Sequence, residues 1–316
     1  MSRPAARARS GQHRPSLYQE ITEKIIAELE AGSVPWVQPW GTAAVKAPLA
    51  MPRNAATRHR YSGINVLILW GAVIERGLAG QSWLTFRQAL GLGGNVRKGE
   101  KGTTVVFAHR FTPDGERKRA ERDGDEPGAV AFLKRFTVFN TDQCENLPKE
   151  LATPPAPQCE NLILPHAEAL ISATGADFRI GGERAFYSPS DDFIQVPRPD
   201  AYLEPINWHR TALHELGHWV GHASRLARDL SGAFGSALYA KEELIAEMTS
   251  AFVCASLGIV PTVRHADYIR TWLDVLREDN RAIVRAASQA SKAADYLLAF
   301  RPEPAEPAEP PELTDE

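Results

Sequence analysis

Apolar and polar positions along this chain fall into two rhythms, one helical and one alternating, and the switches between them mark out its elements. The segment SLYQEITEKIIAELEAG carries Ile21, Ile25, Ile26 and Leu29 as one stripe. Ser16 and Gln19 form a capping box ahead of it and Gly32 stops it. INVLILW (64–70) is strongly apolar and predicts a helix that goes into the core. TTVVFAHRF (103–111) and VAFLKRFTVFN (130–140) are β-like runs around a polar stretch, 112–128, which predicts a long hairpin loop. Helical spacing returns over Trp208–Leu226, with Leu213, Leu216, Gly217 and Val220 recurring after Glu204-Pro205. A further helix is predicted over 239–258, with apolar residues at 244, 245, 248, 252, 253 and 257 and a stop at Gly258.

Punctuation divides these elements into two domains of an α+β chain. NLPKELATPPAPQ (146–158) has four prolines in thirteen residues, which favours an extended connector. The expected layout is a disordered basic arm (1–15), a first domain (16–145), a Pro-rich linker (146–160), a second domain (161–300) and a disordered tail (301–316). That tail is a Pro/Glu/Ala repeat, unable to form a core. The chain of 316 residues is 43% hydrophobic, enough to bury a core in each domain. No run of 18 apolar residues is present, so no transmembrane helix and no membrane partner are expected. The basic N-terminus lacks the apolar core of a secretory signal, and Cys144, Cys159 and Cys254 lack CxxC spacing. A cytoplasmic protein without a disulfide framework is the expectation.

The richest chemistry lies in TALHELGHWVGH. His214 and His218 are four apart, so on a helix both imidazoles leave one face at the spacing of two zinc ligands. Glu215, directly after the first histidine, stands where a carboxylate can take a proton from an attacking water. Glu243 and Glu247 are also four apart, on the following predicted helix. In zincins whose third ligand is a glutamate, that residue comes from a following helix. Glu243 is accordingly read as the third Zn²⁺ ligand and Glu247 as the acid that orients His214. Glu242, about 100° round the helix, is the weaker ligand candidate. The metzincin extension HExxHxxGxxH fails because Ser224 occupies the place of its third histidine. His222 has rotated off the ligand face, and both it and His209 read as partly exposed helix histidines.

Net charge, −3 overall, splits unevenly. Residues 1–150 hold 22 Lys+Arg against 15 Asp+Glu, and the remainder 14 against 24. A basic first half next to an acidic second half points to a polyanion as partner of the first. In that half Trp36, Trp40, Tyr61, Trp70, Trp83 and Phe86 are interleaved with Arg53, Arg58, Arg60, Arg97, Lys98 and Lys101. Aromatic platforms in a cationic groove bind single-stranded nucleic acid. Trp70, on the apolar helix, and Trp83 read instead as core. The glycine- and cation-rich GGNVRKGEKGTTVVF (93–107) borders a strand, where backbone amides and side chains can both approach phosphate.

Several of these segments together carry a family resemblance. YQEITEKIIAELEAGSVPW, RYSGINVLILW, SWLTFRQALGLGGNVRKGEKGTTVVF and FTVFN resemble the ArdC-type antirestriction domain, which is shared with TraC-type plasmid primases. DDFIQVP, TALHELGHWVGHASRL, YAKEELIAEMTSAF and the helices of 268–297 resemble the zincin-like metallopeptidase domain fused to it. The resemblance implies an N-terminal α+β domain that binds single-stranded DNA and a mostly helical zincin-like domain with a small β-sheet. It implies protection of incoming mobile DNA from host restriction by a cytoplasmic protein. It matches His214 and His218 to the metal histidines, Glu215 to the acid/base and Glu243 to the glutamate ligand. DDFIQVP resembles the edge strand along which zincins lay a peptide substrate. Arg97, Lys98, Lys101, Arg58 and Arg60 are the candidate DNA contacts. An active DNA-directed protease with a protein substrate, and an accessory role in priming, are the alternative readings. Residues 1–150 hold no acidic metal cluster that would support nucleotidyl transfer.

Overall fold

The computed structural model describes residues 16–301 except 38, 41, 43–44, 112–118, 120–129, 153–159 and 263–267. The basic arm, most of the hairpin loop and the Pro/Glu tail lie outside the described residues.

Helix α1 (Leu17–Glu30) opens the first half, with the Ser16 hydroxyl accepting from the Gln19 amide at 3.2 Å. Only half of the expected capping box forms, because the Gln19 side chain turns forward to Glu23. Strand β1 (Arg53–Asn54), α2 (Ile64–Arg76), β2 (Ser82–Thr85), α3 (Phe86–Gly91) and β3 (Asn95–Val96) follow. The predicted hairpin is present as β4 (Thr103–Phe111) against β5 (Val130–Asn140), antiparallel from Thr103↔Val138 to Phe111↔Val130. These strands make a four-stranded sheet of order β1-β2-β5-β4, and β3 pairs with β6 (Cys144–Glu145) beside it. Within the Pro-rich connector, α4 (Lys149–Ala152) forms a single helical turn.

The second half contains α5 (Glu160–Ala173) and a three-stranded sheet of β7 (Asp177–Ile180), β8 (Phe186–Ser188) and β9 (Phe193–Val196). Four helices follow: α6 (Pro205–Trp219), α7 (Ala237–Leu257), α8 (Ile269–Glu278) and α9 (Ala282–Leu298). The sheet order is β7-β9-β8, so DDFIQVP forms the central strand and not the edge predicted for it. Alternation in a short strand shows which residues face inward but not which neighbours the strand will have. Helix α6 also ends seven residues earlier than its periodicity predicts. Beyond Trp219 the chain folds back, and the Arg228 amide and guanidinium donate to the Gly221 and Gly217 carbonyls at 2.8 and 2.5 Å. Those bonds satisfy carbonyls that a longer helix would have used itself. Helix α7 runs as expected to Gly258, which takes the left-handed φ of 78°.

One apolar core runs through both halves. Trp36 meets Trp272 of α8 edge-on at 5.5 Å, and Trp70 of α2 meets Phe252 of α7 at 5.8 Å. Polar ties cross the same boundary: Thr22 donates to the Asn280 carbonyl, and the Gly63 amide to the Ser291 hydroxyl, each at 2.7 Å. Trp36, Trp40, Tyr61, Trp70 and Trp83 are all buried. Trp70 and Trp83 are core as expected; the groove expected from Trp36, Trp40 and Tyr61 among cations is core as well, and of the set only Phe86 is exposed. Large rings repay burial more than any other side chains, and a composition shared with DNA-binding grooves does not separate the two uses.

Trp70 is completely buried and donates its indole N–H to the Ala50 carbonyl at 3.0 Å. Trp70→Ala is expected to cost about 3–5 kcal/mol, as for other buried aromatic truncations. Because the core is shared, urea unfolding of the variant should show coincident fluorescence and helix-content transitions. Separate transitions for the two halves would show that the shared core does not couple them.

Candidate metal centre

Helices α6 and α7 pack closely because Gly217 lies at their crossing. A Cβ at that position would come within 3.2 Å of both the Cα and the carbonyl oxygen of Ala246. This approach puts Glu243, one turn before Ala246, opposite the imidazoles of His214 and His218. The His214 and His218 Nε2 atoms are 3.2 Å apart. Glu243 places Oε2 3.5 Å from His214 Nε2 and Oε1 3.6 Å from His218 Nε2. Zinc 2.0–2.1 Å from tetrahedral donors would separate them by about 3.3 Å. Two nitrogens and a carboxylate oxygen at that mutual spacing fit such an ion. Among the described residues they are the one group of three or more such side chains that meets it.

An acidic or hydroxyl side chain stands behind each donor. His218 Nδ1 lies 3.1 Å from Glu242 Oε1, and Arg228 grips the same carboxylate at 2.6 and 3.0 Å. Glu242 therefore orients His218 from its far nitrogen and does not join the donor triangle. On the other ring, Glu247 Oε1 is 3.9 Å from His214 Nδ1. Tyr239 bonds its hydroxyl to Glu243, and burial followed by that carboxylate pushes its pKa far up. Glu242 was visible in the sequence only as a weaker ligand candidate, and Arg228 did not stand out at all, since nothing local shows that it folds back across the helix end.

Burial of His218 disfavours its charged form, but bonds to Glu242 and Glu243 outweigh this and hold its pKa up at about 10. In the metal-free protein the charged ring adds stability that is complete below about pH 6.5. That contribution is lost as pH rises toward 10. Metal entry at neutral pH must therefore displace this proton. Calorimetric titration in buffers of different ionisation heat is expected to show release of about one proton per ion at pH 7. Apparent affinity should rise about tenfold per pH unit up to that value. A buffer-independent heat would contradict the protonated ring.

The donors open into a cleft of about 250 Å³ that Glu215 also lines, with Ala185, Phe186, Tyr187 and Pro189 on its other wall. That wall is β8, the edge of its sheet among the described residues. A clamp fastens it to the end of α6. Asp192, in the β8–β9 turn at a left-handed φ of 52°, accepts from the Tyr187 hydroxyl at 2.8 Å and from both Arg225 amino groups. Bonds from Arg225 hold the Asp192 carboxyl below its ordinary pKa, and the guanidinium lies 3.9 Å from the Trp219 ring. His222, expected on the helix, lies beyond its end and bonds to Ser224. His209, expected to be partly exposed, is buried, with Nδ1 3.1 Å from the Pro205 carbonyl oxygen.

The predicted DNA contacts fall on separate elements. Arg58 and Arg60 are exposed in the turn after β1, at the sheet edge opposite β4. Arg97, Lys98 and Lys101 lie on the β3–β4 connection, where Arg97 is paired with Glu100 at 2.8 Å.

A histidine pair and a glutamate across two packed helices, with an acid at the second motif position, define a zincin-type divalent-metal centre. Residues 165–289 match the family described as zincin-like metallopeptidase, and residues 15–139 match the N-terminal domain of anti-restriction factor ArdC. The chain is 39% identical to Uncharacterized protein y4eC of Sinorhizobium fredii, over 92% of this chain and 94% of that one. It is also 39% identical to DNA primase TraC of Escherichia coli, but spans only 20% of that protein's length. Crystal structures of antirestriction protein ArdC from the R388 plasmid, metal-free and Mn(II)-bound, superpose with TM-scores of 0.75 and 0.74. Both are 38% identical to this chain, covering 90% and 92% of it and 97% and 99% of themselves. The chain belongs to the ArdC-type antirestriction family, in which an ArdC N-terminal domain is joined to a zincin-like domain. No helix among the described residues is long and apolar enough to cross a membrane.

Proposed function

We propose that this protein binds single-stranded DNA through its N-terminal half and protects incoming mobile DNA from host restriction in the cytoplasm. Its second half would hold Zn²⁺ on His214, His218 and Glu243. The observation that carries this reading is the union of an ArdC-type domain and a complete donor triangle on one continuous core. Transfer of an unmodified plasmid into a restricting host tests it. Expression of the protein should raise recovery of transformants, and purified protein should bind an oligodeoxythymidylate with an affinity that falls with salt. Unchanged recovery would exclude protection.

A second reading has its own support in the cleft, where Glu215 and the β8 edge flank the donors. Under it the protein is a DNA-directed peptidase that cleaves a protein substrate. Zinc would supply the Lewis acidity that brings the attacking water's pKa to about 7. Glu215 takes that water's proton and returns it to the departing amine. The β8 backbone aligns an extended peptide across the donors, and the Asp192–Arg225 clamp fixes the strand's distance from them. Priming has no comparable support, since the chain spans only a fifth to a quarter of the primases it matches.

A further inference from the structure

With its tryptophans buried, the first half exposes large rings elsewhere. Phe107 is 47% and Phe136 38% exposed, although both stand within the longest strand pair among the described residues. Pairing of Phe107 with Lys134 and of Val105 with Phe136 sets all four side chains on one face of the hairpin. The two rings meet edge-on at 5.2 Å, and Lys134 Nζ lies 5.2 Å from the Phe136 ring. Lys134 has no acidic partner among the described residues. Its neighbour Arg135, on the opposite face, is paired with Glu20 of α1 at 2.8 Å.

Alternative occupants fit this surface less well. A peptide adding to the sheet would need the outer edge of β4, but Asn65 of α2 already bonds there. Its side chain donates to the Val106 carbonyl at 2.7 Å and accepts from the Val106 amide at 2.8 Å. What stays open on that face, where Val105 is buried, is an aromatic pair flanked by a cation with no acidic partner among the described residues, in a half whose balance is 22 Lys+Arg to 15 Asp+Glu. Unpaired bases have π-faces for such rings and a phosphate within reach of the lysine, whereas duplex DNA hides its bases.

We infer that Phe107, Phe136 and Lys134 form the base-stacking platform of this protein for single-stranded DNA. This deepens the proposed DNA-binding reading and rests on it. The β4–β5 hairpin carries the strand, and bases stack on the rings while Lys134 contacts the backbone.

The test is fluorescence anisotropy of the full chain with labelled oligodeoxythymidylate and with a duplex of equal length. Phe107→Ala/Phe136→Ala should lower single-strand affinity about tenfold or more, with the salt slope unchanged because the rings carry no charge. Lys134→Ala should reduce the slope by about 0.7, the value of one phosphate contact on a single strand. Phe107→Trp/Phe136→Trp should retain affinity and show fluorescence quenching on binding. Unaltered melting temperature and metal affinity would show that the variants fold. Wild-type-like affinity in the double alanine variant overturns the platform, as does an equal loss on duplex DNA. Absence of single-strand binding by the wild type would instead overturn the DNA-binding reading itself.

Discussion

Glu243→Gln is expected to strip the protein of its metal. Bound divalent metal by mass spectrometry should fall from about one ion per chain to near none, with apparent affinity for zinc lowered by more than about a hundredfold. Loss of an orienting partner alone typically costs 10–100-fold, and this change removes a donor. The substitution keeps the side chain's volume but discards the charge that lies 3.5 and 3.6 Å from the two imidazoles. Glu242→Gln separates the two adjacent acids. Glu242 touches His218 only from Nδ1 and is engaged by Arg228, so its loss should weaken zinc within the smaller range and leave one ion bound at saturation. If Glu242→Gln abolished binding and Glu243→Gln spared it, the ligand assignment would be reversed.

How much of this could be read in advance depends on the range of the forces involved. His214, Glu215, His218 and the Glu243/Glu247 pair were legible because a helix converts spacing into direction, and both helices announce themselves by period. The crossing that joins them rests on Gly217, whose lack of a side chain matters only against Ala246, 29 positions on. Arg228 and Arg225 were not legible for a related reason. Each acts by folding back after α6, and a long flexible cation looks the same in sequence whether solvated or clamped. The hairpin was visible from its alternation. Its exposed rings were not, since alternation shows two faces without showing which one another element will cover. Trp36 and Trp40 erred the other way, because large rings next to cations suit a core and a groove equally.

The centre's two candidate roles diverge on one substitution. Glu215→Gln should leave metal content unchanged, because the three donors are other residues. Single-strand affinity should also persist, because the basic, ArdC-type half lies on other elements. Any peptide hydrolysis should fall by about 10²–10⁴-fold, the usual worth of a positioned acid/base. The amide occupies the carboxylate's volume in the cleft but can neither take the water's proton nor give it to the leaving amine. Plasmid recovery in a restricting host then decides between a binding protector and a peptidase. Full protection by the variant would assign the work to DNA binding, with the metal as a brace between α6 and α7. Protection lost in proportion to hydrolysis would mean that DNA binding delivers the cleft to a protein target. The brace itself is separable: metal removal by a chelator should lower thermal stability in both the wild type and Glu215→Gln, by equal amounts, if the ion holds the two helices together independently of chemistry.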